Sequence, residues 1–353
     1  MFVKSLTIKN FRNHKYLSYD FSNKINVITG SNGSGKTNIV EAIYYLSLAR
    51  SFRTQNNIDL INDGQETAII IAEVLEGQIK REIRVVINKD CKKVYLNNKP
   101  INKLSELAKS INVILFEPKD VLMFKSSPKV RRNFLDISLS KKSDSYLDYI
   151  SRYSKILKQR NELLKKTKID ENLLSVLTEM MIKLSKQIIR FRQLYVESIN
   201  EVLDKIYFSL TGKKDDVKVV YYPFIDIDDE YQAKATELFE KSKESDIKKK
   251  ATSIGIHRED FKVLMNNHDI ATYGSQGENR IVTLALKLSP YFIIKDREKR
   301  PIVVLDDVMS ELDENHKNKL IDFIRKLEQV FITATEIEVK DASIYKTKKK
   351  EDF

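Results

Sequence analysis

A short glycine-rich segment near the start of the chain carries the residue types that bind phosphate groups. Residues 30–37 read Gly-Ser-Asn-Gly-Ser-Gly-Lys-Thr, which fits the pattern of a phosphate-binding loop. An apolar strand pattern precedes the segment at residues 25–29 and a helical pattern follows it at residues 37–48, as such a loop requires. The glycines let consecutive amide N–H groups converge on a phosphate, and the helix N-terminus adds positive potential. The predicted nucleotide-binding residues are Gly30, Ser31, Asn32, Gly33, Ser34, Gly35, Lys36 and Thr37.

The last two residues of the loop and a later pair of acids predict the chemistry. Lys36 is expected to bridge the β- and γ-phosphates of a nucleotide, and the Thr37 hydroxyl is expected to ligate Mg²⁺. Asp306 and Asp307 follow an apolar strand pattern, Ile302–Leu305, and a phosphate-binding loop needs a carboxylate of this kind beside the metal. Asp306 is the predicted second metal ligand, and Asp307 is the predicted base that polarises the attacking water. ATP and Mg²⁺ are therefore the predicted cofactors, with Lys36 and Asp307 as the catalytic residues.

A second glycine-containing segment predicts a contact with another copy of the chain. Only nine glycines occur, and five of them lie in the loop or in this segment, at Gly274 and Gly277. Ser275 and Gly277 open a predicted helix, where such residues often serve only as caps. The order of the motifs along the chain, however, is that of an ABC-type ATPase: a phosphate-binding loop, a long insertion, a Ser-x-Gly helix start, and an apolar strand that is followed by two acids. In that arrangement the helix start faces the γ-phosphate held by a second subunit, so Ser275, Gln276 and Gly277 are predicted to bind ATP across a homodimer.

The composition predicts a globular protein with an anionic partner. The chain has 353 residues, of which 42% are hydrophobic and 32% charged, with 62 basic against 50 acidic side chains and a net charge of +12. Such an excess favours nucleic acid as the partner, although abundant Lys, Asn and Ile are equally what a biased genome would produce. One cysteine and four histidines argue against disulfides and against thiolate-rich or His-rich metal centres. No apolar run approaches the roughly 20 residues of a membrane span, and no signal-peptide pattern is present, so a cytoplasmic protein without membrane contact is predicted.

The elements that would position these residues fall into two groups. Patterns typical of strands predict a sheet that carries the loop, with an appended antiparallel subdomain in which Asn97 and Asn98 form a turn. Residues 128–208 contain no glycine and favour long amphipathic helices, and the last hundred residues again alternate between strand and helix patterns. The predicted fold is α/β, an ABC-type ATPase head with a mainly helical second lobe. We assign residues 1–125 and 252–353 to the head and residues 126–251 to the lobe.

Further motifs are spread over the whole chain. They are Ile8-Lys9-Asn10-Phe11-Arg12-Asn13, Ser51-Phe52-Arg53, Phe116-Glu117-Pro118-Lys119-Asp120, Ser127-Pro128 with Arg131-Arg132-Asn133-Phe134-Leu135-Asp136, His257-Arg258-Glu259-Asp260, and the acidic strand continued through Val308-Met309-Ser310-Glu311-Leu312-Asp313. With these motifs the chain closely resembles the RecF family of bacterial recombination and gap-repair ATPases, within the wider SMC-like group. The resemblance implies a homodimer that ATP closes around duplex DNA near single-strand gaps and that slow hydrolysis releases. It also implies RecR, with RecO, as partners, and RecA as the protein loaded downstream.

Three positions depart from the pattern of this family or of the wider superfamily. Glu278 stands where glutamine is expected, Thr333 where many ABC ATPases have a switch histidine, and Asp307 where glutamate is common. An aspartate reaches less far by one methylene, which suits slow hydrolysis and a timing function.

The sequence leaves several alternatives open. The same motifs occur in ATP-binding subunits of transporters, in which a much shorter insertion is expected, and the sequence is also compatible with a DNA-binding scaffold that binds ATP without hydrolysing it. Arg131 and Arg132 are expected either to contact DNA or to hold the lobes together. The basic tail at residues 346–350, with Lys346, Lys348, Lys349 and Lys350, is expected to be a solvated end or a nucleic-acid arm.

Overall fold

The computed structural model describes residues 1–101, 104–336 and 339–347. Its strands are β1 (Phe2–Phe11), β2 (His14–Asp20), β3 (Ile25–Thr29), β4 (Thr67–Glu76), β5 (Ile79–Asn88), β6 (Lys92–Leu96), β7 (Lys99–Ile101), β8 (Val113–Phe116), β9 (Val217–Tyr222), β10 (Asp260–Met265), β11 (His268–Asp269), β12 (Ile302–Leu305), β13 (Val330–Ala334) and β14 (Ser343–Lys346). Its α-helices are α1 (Lys36–Leu48), α2 (Leu104–Ser110), α3 (Pro128–Lys142), α4 (Asp144–Leu164), α5 (Glu171–Thr211), α6 (Tyr231–Lys249), α7 (Ile270–Tyr273), α8 (Gln276–Ile293) and α9 (Glu314–Ile324).

A five-stranded parallel sheet carries the predicted loop and acids. Its strand order is β14-β3-β13-β12-β8, and every neighbouring pair is parallel. β8, β12 and β13 are buried along their whole length, which explains their unbroken apolar sequence, because a parallel sheet is covered on both faces. The carboxyl ends of β3, β12 and β13 meet at one edge, where ligands bind in open α/β sheets.

A six-stranded antiparallel sheet, in the order β2-β1-β4-β5-β6-β7, forms the predicted appended subdomain. Its strands alternate between buried and partly exposed residues, as expected when only one face packs on a core. The buried face joins α1 in one hydrophobic cluster. Asn97 and Asn98 connect β6 and β7 with φ angles of 49° and 64°, which is the left-handed backbone of a two-residue hairpin turn. The predicted turn is confirmed.

Helices α3 to α6 occupy the glycine-poor region. The predicted helical stretch at residues 128–208 is divided into three helices, because the chain breaks at Ser143 and again before Glu171. Two buried arginines are paired with buried acids: Arg160 lies 2.8 Å from Asp246 and Arg192 lies 2.7 Å from Glu259. Within the described part of the chain, no helix is long and apolar enough to cross a membrane.

Arg131 and Arg132 make contacts with their own neighbourhood. The Arg131 guanidinium binds both carboxylate oxygens of Asp260, at 2.7 and 2.6 Å, and three backbone carbonyl groups between residues 123 and 126. Arg132 donates to the carbonyl oxygen of Glu259 at 2.5 Å. The Arg131 side chain is therefore occupied by internal partners and only 10% exposed.

The chain divides into two compact units. The first consists of Met1–Val121, Lys205–Lys214 and the described residues from Arg280 onward, and the second of Leu122–Asp204 and Asp215–Asn279. Residues 252–279 thus fall in the second unit, whereas we assigned them to the head from the sequence. The reason is that β10 pairs with β9 along its whole length. Our assignment of functional domains stays a prediction.

The end of the chain is partly outside the described residues. Lys346 ends β14, which pairs in parallel with β3, so this part of the tail belongs to the sheet, where a solvated end or an arm was expected. Lys348, Lys349 and Lys350 lie outside the described residues.

Candidate nucleotide-binding site

The predicted phosphate-binding loop joins β3 to α1. Gly35 caps the helix with φ 94° and ψ 14°, a left-handed conformation that favours glycine. A Cβ atom at Gly35 would also lie 2.5 Å from Nε2 of His14. The loop is therefore held close to β2.

The Lys36 side chain folds back over the loop. Its Nζ donates to the carbonyl oxygens of Gly30 and Ser31, at 2.7 and 3.1 Å. Burial lowers the pKa of Lys36, against the opposing effect of the Asp307 and Asp306 carboxylates. The ammonium therefore lies over the loop, and a phosphate oxygen can replace either carbonyl oxygen as its hydrogen-bond acceptor.

Thr37 and Asp306 meet as the sequence predicts. Thr37 Oγ1 donates to Oδ1 of Asp306 at 3.1 Å, and Thr333 Oγ1 donates to the same oxygen at 2.7 Å. Burial raises the pKa of Asp306, while the hydrogen bonds from Thr333 and Thr37 lower it. Two oxygens that occupy adjacent positions around one Mg²⁺ lie about 2.9 Å apart. The hydroxyl and the carboxylate therefore fit a magnesium ion by type and by separation.

Asp307 differs from Asp306 in exposure and in backbone. Asp306 is 4% exposed, whereas the Asp307 side chain is exposed and lines the cleft. Asp307 has φ 50°, an uncommon left-handed value that aspartate tolerates better than most residues. Its N–H donates to Thr333 Oγ1 at 2.9 Å. One threonine hydroxyl therefore binds the carboxylate of Asp306 and the backbone N–H of Asp307. We name residues 30–37 with Asp306, Asp307 and Thr333 the loop edge.

A cleft of about 380 Å³ opens at the loop edge. The cleft is lined by residues of the loop, by Asp307 and by polar side chains of neighbouring elements. They are Asn13, Asn32, Gly33, Gly35, Lys36, Thr37, Asn38, Arg53, Asp307 and Thr333. The fold thus brings Lys36, Thr37 and both acids to one place from positions about 270 residues apart in the chain.

Ser275, Gln276 and Gly277 lie in the second unit, exposed at the beginning of α8. Ser275 forms a reciprocal capping box with Glu278. The N–H and the hydroxyl of Ser275 both donate to Glu278 Oε2 at 2.8 Å, and the Glu278 N–H donates back to Ser275 Oγ at 3.2 Å. We name residues 275–278 the α8 start.

Comparison with known proteins identifies the family. The RecF/RecN/SMC N terminal domain family matches residues 2–350. A protein of Clostridium tetani named DNA replication and repair protein RecF is 39% identical over 98% of both chains, and its namesake in Geobacillus kaustophilus is 34% identical over 98% of this chain and 97% of its own. The chain belongs to the RecF family. A solved RecF–ATPrS structure, of the recombination mediator protein in the RecFOR pathway, superposes with a TM-score of 0.88 at 30% identity, covering 98% of this chain and 95% of the other.

RecF-family membership confirms the predicted class of protein. The chain is a member of a DNA replication and repair family of SMC-like ABC ATPases, which decides against the transporter subunit. A structure of an SMC head bound to a winged-helix domain of ScpA, at 16% identity and a TM-score of 0.57, shows the same fold. The predicted ABC-type ATPase head is therefore confirmed.

Three residues of the RecF-family cleft had no assigned function from the sequence: Asn13, Asn38 and Arg53. Arg53 Nη1 donates to Asn38 Oδ1 at 2.7 Å and to Glu41 Oε2 at 3.3 Å. Glu41 is fully buried and also binds the Arg12 guanidinium through both oxygens. Asn13, Asn38 and Arg53 belong to, or directly adjoin, segments that carry the RecF-family resemblance. The clustering of motifs around the loop was the signal that pointed to them.

Glu117 is a further acid of the first unit to which the sequence assigned no function. It follows β8, and its N–H donates to Asp120 Oδ2 at 2.8 Å. Burial raises the pKa of Glu117 to about 7, and the negative charge of Asp120 contributes to the increase. Asp120 itself is paired with Lys287. Glu117 therefore changes its charge near neutral pH.

Proposed function

We propose that the chain binds ATP together with Mg²⁺ at the loop edge. The observation that carries the proposal is that Lys36 and Thr37 line the open cleft while the Thr37 hydroxyl contacts the buried carboxylate of Asp306, which Thr333 holds in place. Bound Mg²⁺ would neutralise charge on the phosphates. Thr37 Oγ1 and Asp306 Oδ1 are the proposed metal ligands. The loop amides of residues 30–37 and the Lys36 ammonium are the proposed phosphate donors.

Asp307 is the proposed base that orients the attacking water. Its carboxylate is exposed to the cleft, and its backbone is fixed by the hydrogen bond to Thr333. A short side chain on a fixed backbone gives little freedom to approach the water, which favours slow hydrolysis. The proposed activity is therefore a slow ATPase that acts as a timer.

Two copies of the chain are proposed to enclose ATP between the loop edge of one and the α8 start of the other. Gly277 supports this pairing. It lies in the first turn of α8 without a positive φ, and apart from adjacent backbone no described atom lies within 4 Å of the position of a Cβ. Glycine is a poor helix former, and no contact within the described chain accounts for its presence at this exposed position in the first turn. An approaching nucleotide and second copy would account for it.

The proposed partner of the closed dimer is duplex DNA near single-strand gaps. The net charge of +12 supports binding to the phosphate backbone, which requires no base-specific contacts. The solved relatives are described as RecF of the RecFOR pathway, which supports RecR and RecO as partners and RecA loading as the outcome. We propose the cytoplasm as the place of action.

Sedimentation velocity of the purified protein tests the proposal. We expect Mg²⁺ and ATP to convert monomers to dimers, and gapped DNA to co-sediment with the protein only when ATP is present. DNA binding should weaken steeply with salt, because lysine and arginine release counterions from phosphates. A protein that stays monomeric with ATP at every concentration, or binds DNA regardless of ATP and salt, would contradict the clamp.

A further inference from the structure

The α8 start contains an internal anion in contact with its donors. One carboxylate oxygen of Glu278 accepts hydrogen bonds from both the N–H and the hydroxyl of Ser275, each at 2.8 Å. These are the two donors that Ser275 has available for an oxygen of a bound phosphate. The Glu278 carboxylate therefore occupies the position that an approaching anion requires.

The surrounding backbone fixes Ser275 in this arrangement. Asn279, which is buried, donates through Nδ2 to the carbonyl oxygens of Gly274 and Ser275, both at 2.9 Å. A Cβ atom at Gly274 would lie 2.6 Å from the carbonyl oxygen of Ile270. Ser275 thus has little backbone freedom, and the Glu278 side chain is the part that can move away.

We propose that Glu278 is a positioning residue that holds Ser275 ready in the single chain and must release it before the second copy's nucleotide can bind. This inference rests on the function proposed for Ser275 and names how the pairing is regulated. The open space around Gly277, which also supports the proposed pairing, is consistent with it, because that space admits a ligand beside the same helix turn.

The negative charge of Glu278 makes its contact with Ser275 oppose the binding of the second copy's nucleotide. Hydrogen bonds to a carboxylate are roughly twice as strong as those to a neutral acceptor, so a neutral amide at position 278 would be easier to displace. A carboxylate that remained close to the triphosphate would also repel it. Removing the charge while keeping the side-chain shape should therefore strengthen nucleotide-dependent dimerisation.

The test measures the dimerisation constant of the full chain with Mg²⁺ and a slowly hydrolysed ATP analogue. For Glu278→Gln we expect the protein concentration at half-dimerisation to fall about fivefold, which corresponds to the difference between a hydrogen bond to a charged acceptor and one to a neutral acceptor. Glu171→Gln is the charge control, because it removes one negative charge from the first turn of α5, where Glu171 pairs with Lys243, and we expect no change in dimerisation. If Glu278 were only a structural cap, Glu278→Gln would raise the protein concentration at half-dimerisation, because a weaker cap lowers the stability of the helix.

Ser275→Ala tests whether Glu278 acts through Ser275. If it does, Glu278→Gln brings a smaller gain in a chain that already carries Ser275→Ala, because only the N–H of residue 275 then still donates to Glu278. An unchanged or weaker dimer for Glu278→Gln, while the wild type dimerises with ATP, would overturn the inference and leave the proposed function intact. If no version dimerises with the nucleotide, the proposed function fails and the inference fails with it.

Discussion

The loop edge and the α8 start are both predicted to bind phosphate, yet they are built in different ways. At the loop edge, Thr37 and Thr333 meet Asp306 over sequence separations of 269 and 27 residues. At the α8 start, the bonds of Ser275 with Glu278 span three residues of an exposed helix turn. The whole sheet therefore positions the first region, whereas local sequence positions the second. We infer that one copy of the chain completes the loop edge and that the α8 start functions only between two copies.

The largest effect that separates the two regions should come from Lys36. We expect Lys36→Ala to weaken ATP binding by the single chain by at least about 100-fold, because a charged phosphate donor is lost. Ser275→Ala should leave that affinity within about twofold and weaken only dimerisation, by about tenfold for one lost hydrogen bond to a charged group. Titration of each variant with fluorescent ATP at low protein concentration, followed by sedimentation at high concentration, measures the two quantities. Equal losses of ATP binding in both variants would remove the distinction.

Asp307→Asn should reduce phosphate release about 100-fold, the usual contribution of a general base. ATP binding and dimerisation should persist, since the amide keeps the shape of the side chain and Thr333 still binds the backbone of residue 307. Steady-state phosphate assays with and without gapped DNA measure the effect. Equal rates for wild type and variant would favour a scaffold that binds ATP without using Asp307.

Thr333→Val tests whether a single hydroxyl organises the loop edge. The change removes the donor to Asp306 and leaves the N–H of Asp307 without its acceptor, at a cost of about 1–3 kcal/mol. We expect Mg²⁺-dependent ATP affinity to fall about tenfold. Thr333→Ser retains the hydroxyl and should restore most of it. A variant with valine that binds Mg²⁺ and ATP normally would show that the acids are held by other means.

A last effect concerns folding and leaves the comparison of the two phosphate-binding regions untouched: it is the pH dependence of stability that Glu117 causes. Its pKa is about 7 in the folded chain against an ordinary 4.5, so the folded state binds more protons than the unfolded state between these values. Stability should therefore fall as the pH rises from about 5 to 7. Glu117→Gln resembles the protonated form, and its stability advantage over the wild type should grow over this range by up to about 2 kcal/mol. Urea unfolding at several pH values measures it, with the exposed Glu66→Gln as the control; a constant difference would contradict the raised pKa.

The sequence predicted those parts of the site whose residues form contiguous motifs. The loop, Asp306 and Asp307 were found because each follows an apolar strand in a fixed pattern, and the Asn97-Asn98 turn because its residue types favour left-handed backbone. The sequence placed Thr333 at a strand end where many ABC ATPases have a histidine, but its hydrogen bonds to both acids depend on the pairing of β12 with β13, which no local pattern reports. The pairing of β10 with β9 likewise changed the extent of the second unit. Long-range strand pairing was thus the part that local reasoning missed.

The left-handed backbone at Asp307 has a consequence for the choice of amino acid at this position. Aspartate and asparagine adopt such angles several times more readily than longer side chains do. Extending the carboxylate by one carbon would therefore bring conformational strain together with the added reach. Protein engineering that places glutamate at position 307 would therefore have to remodel the turn after β12 at the same time, because the length of this side chain and the backbone conformation are coupled.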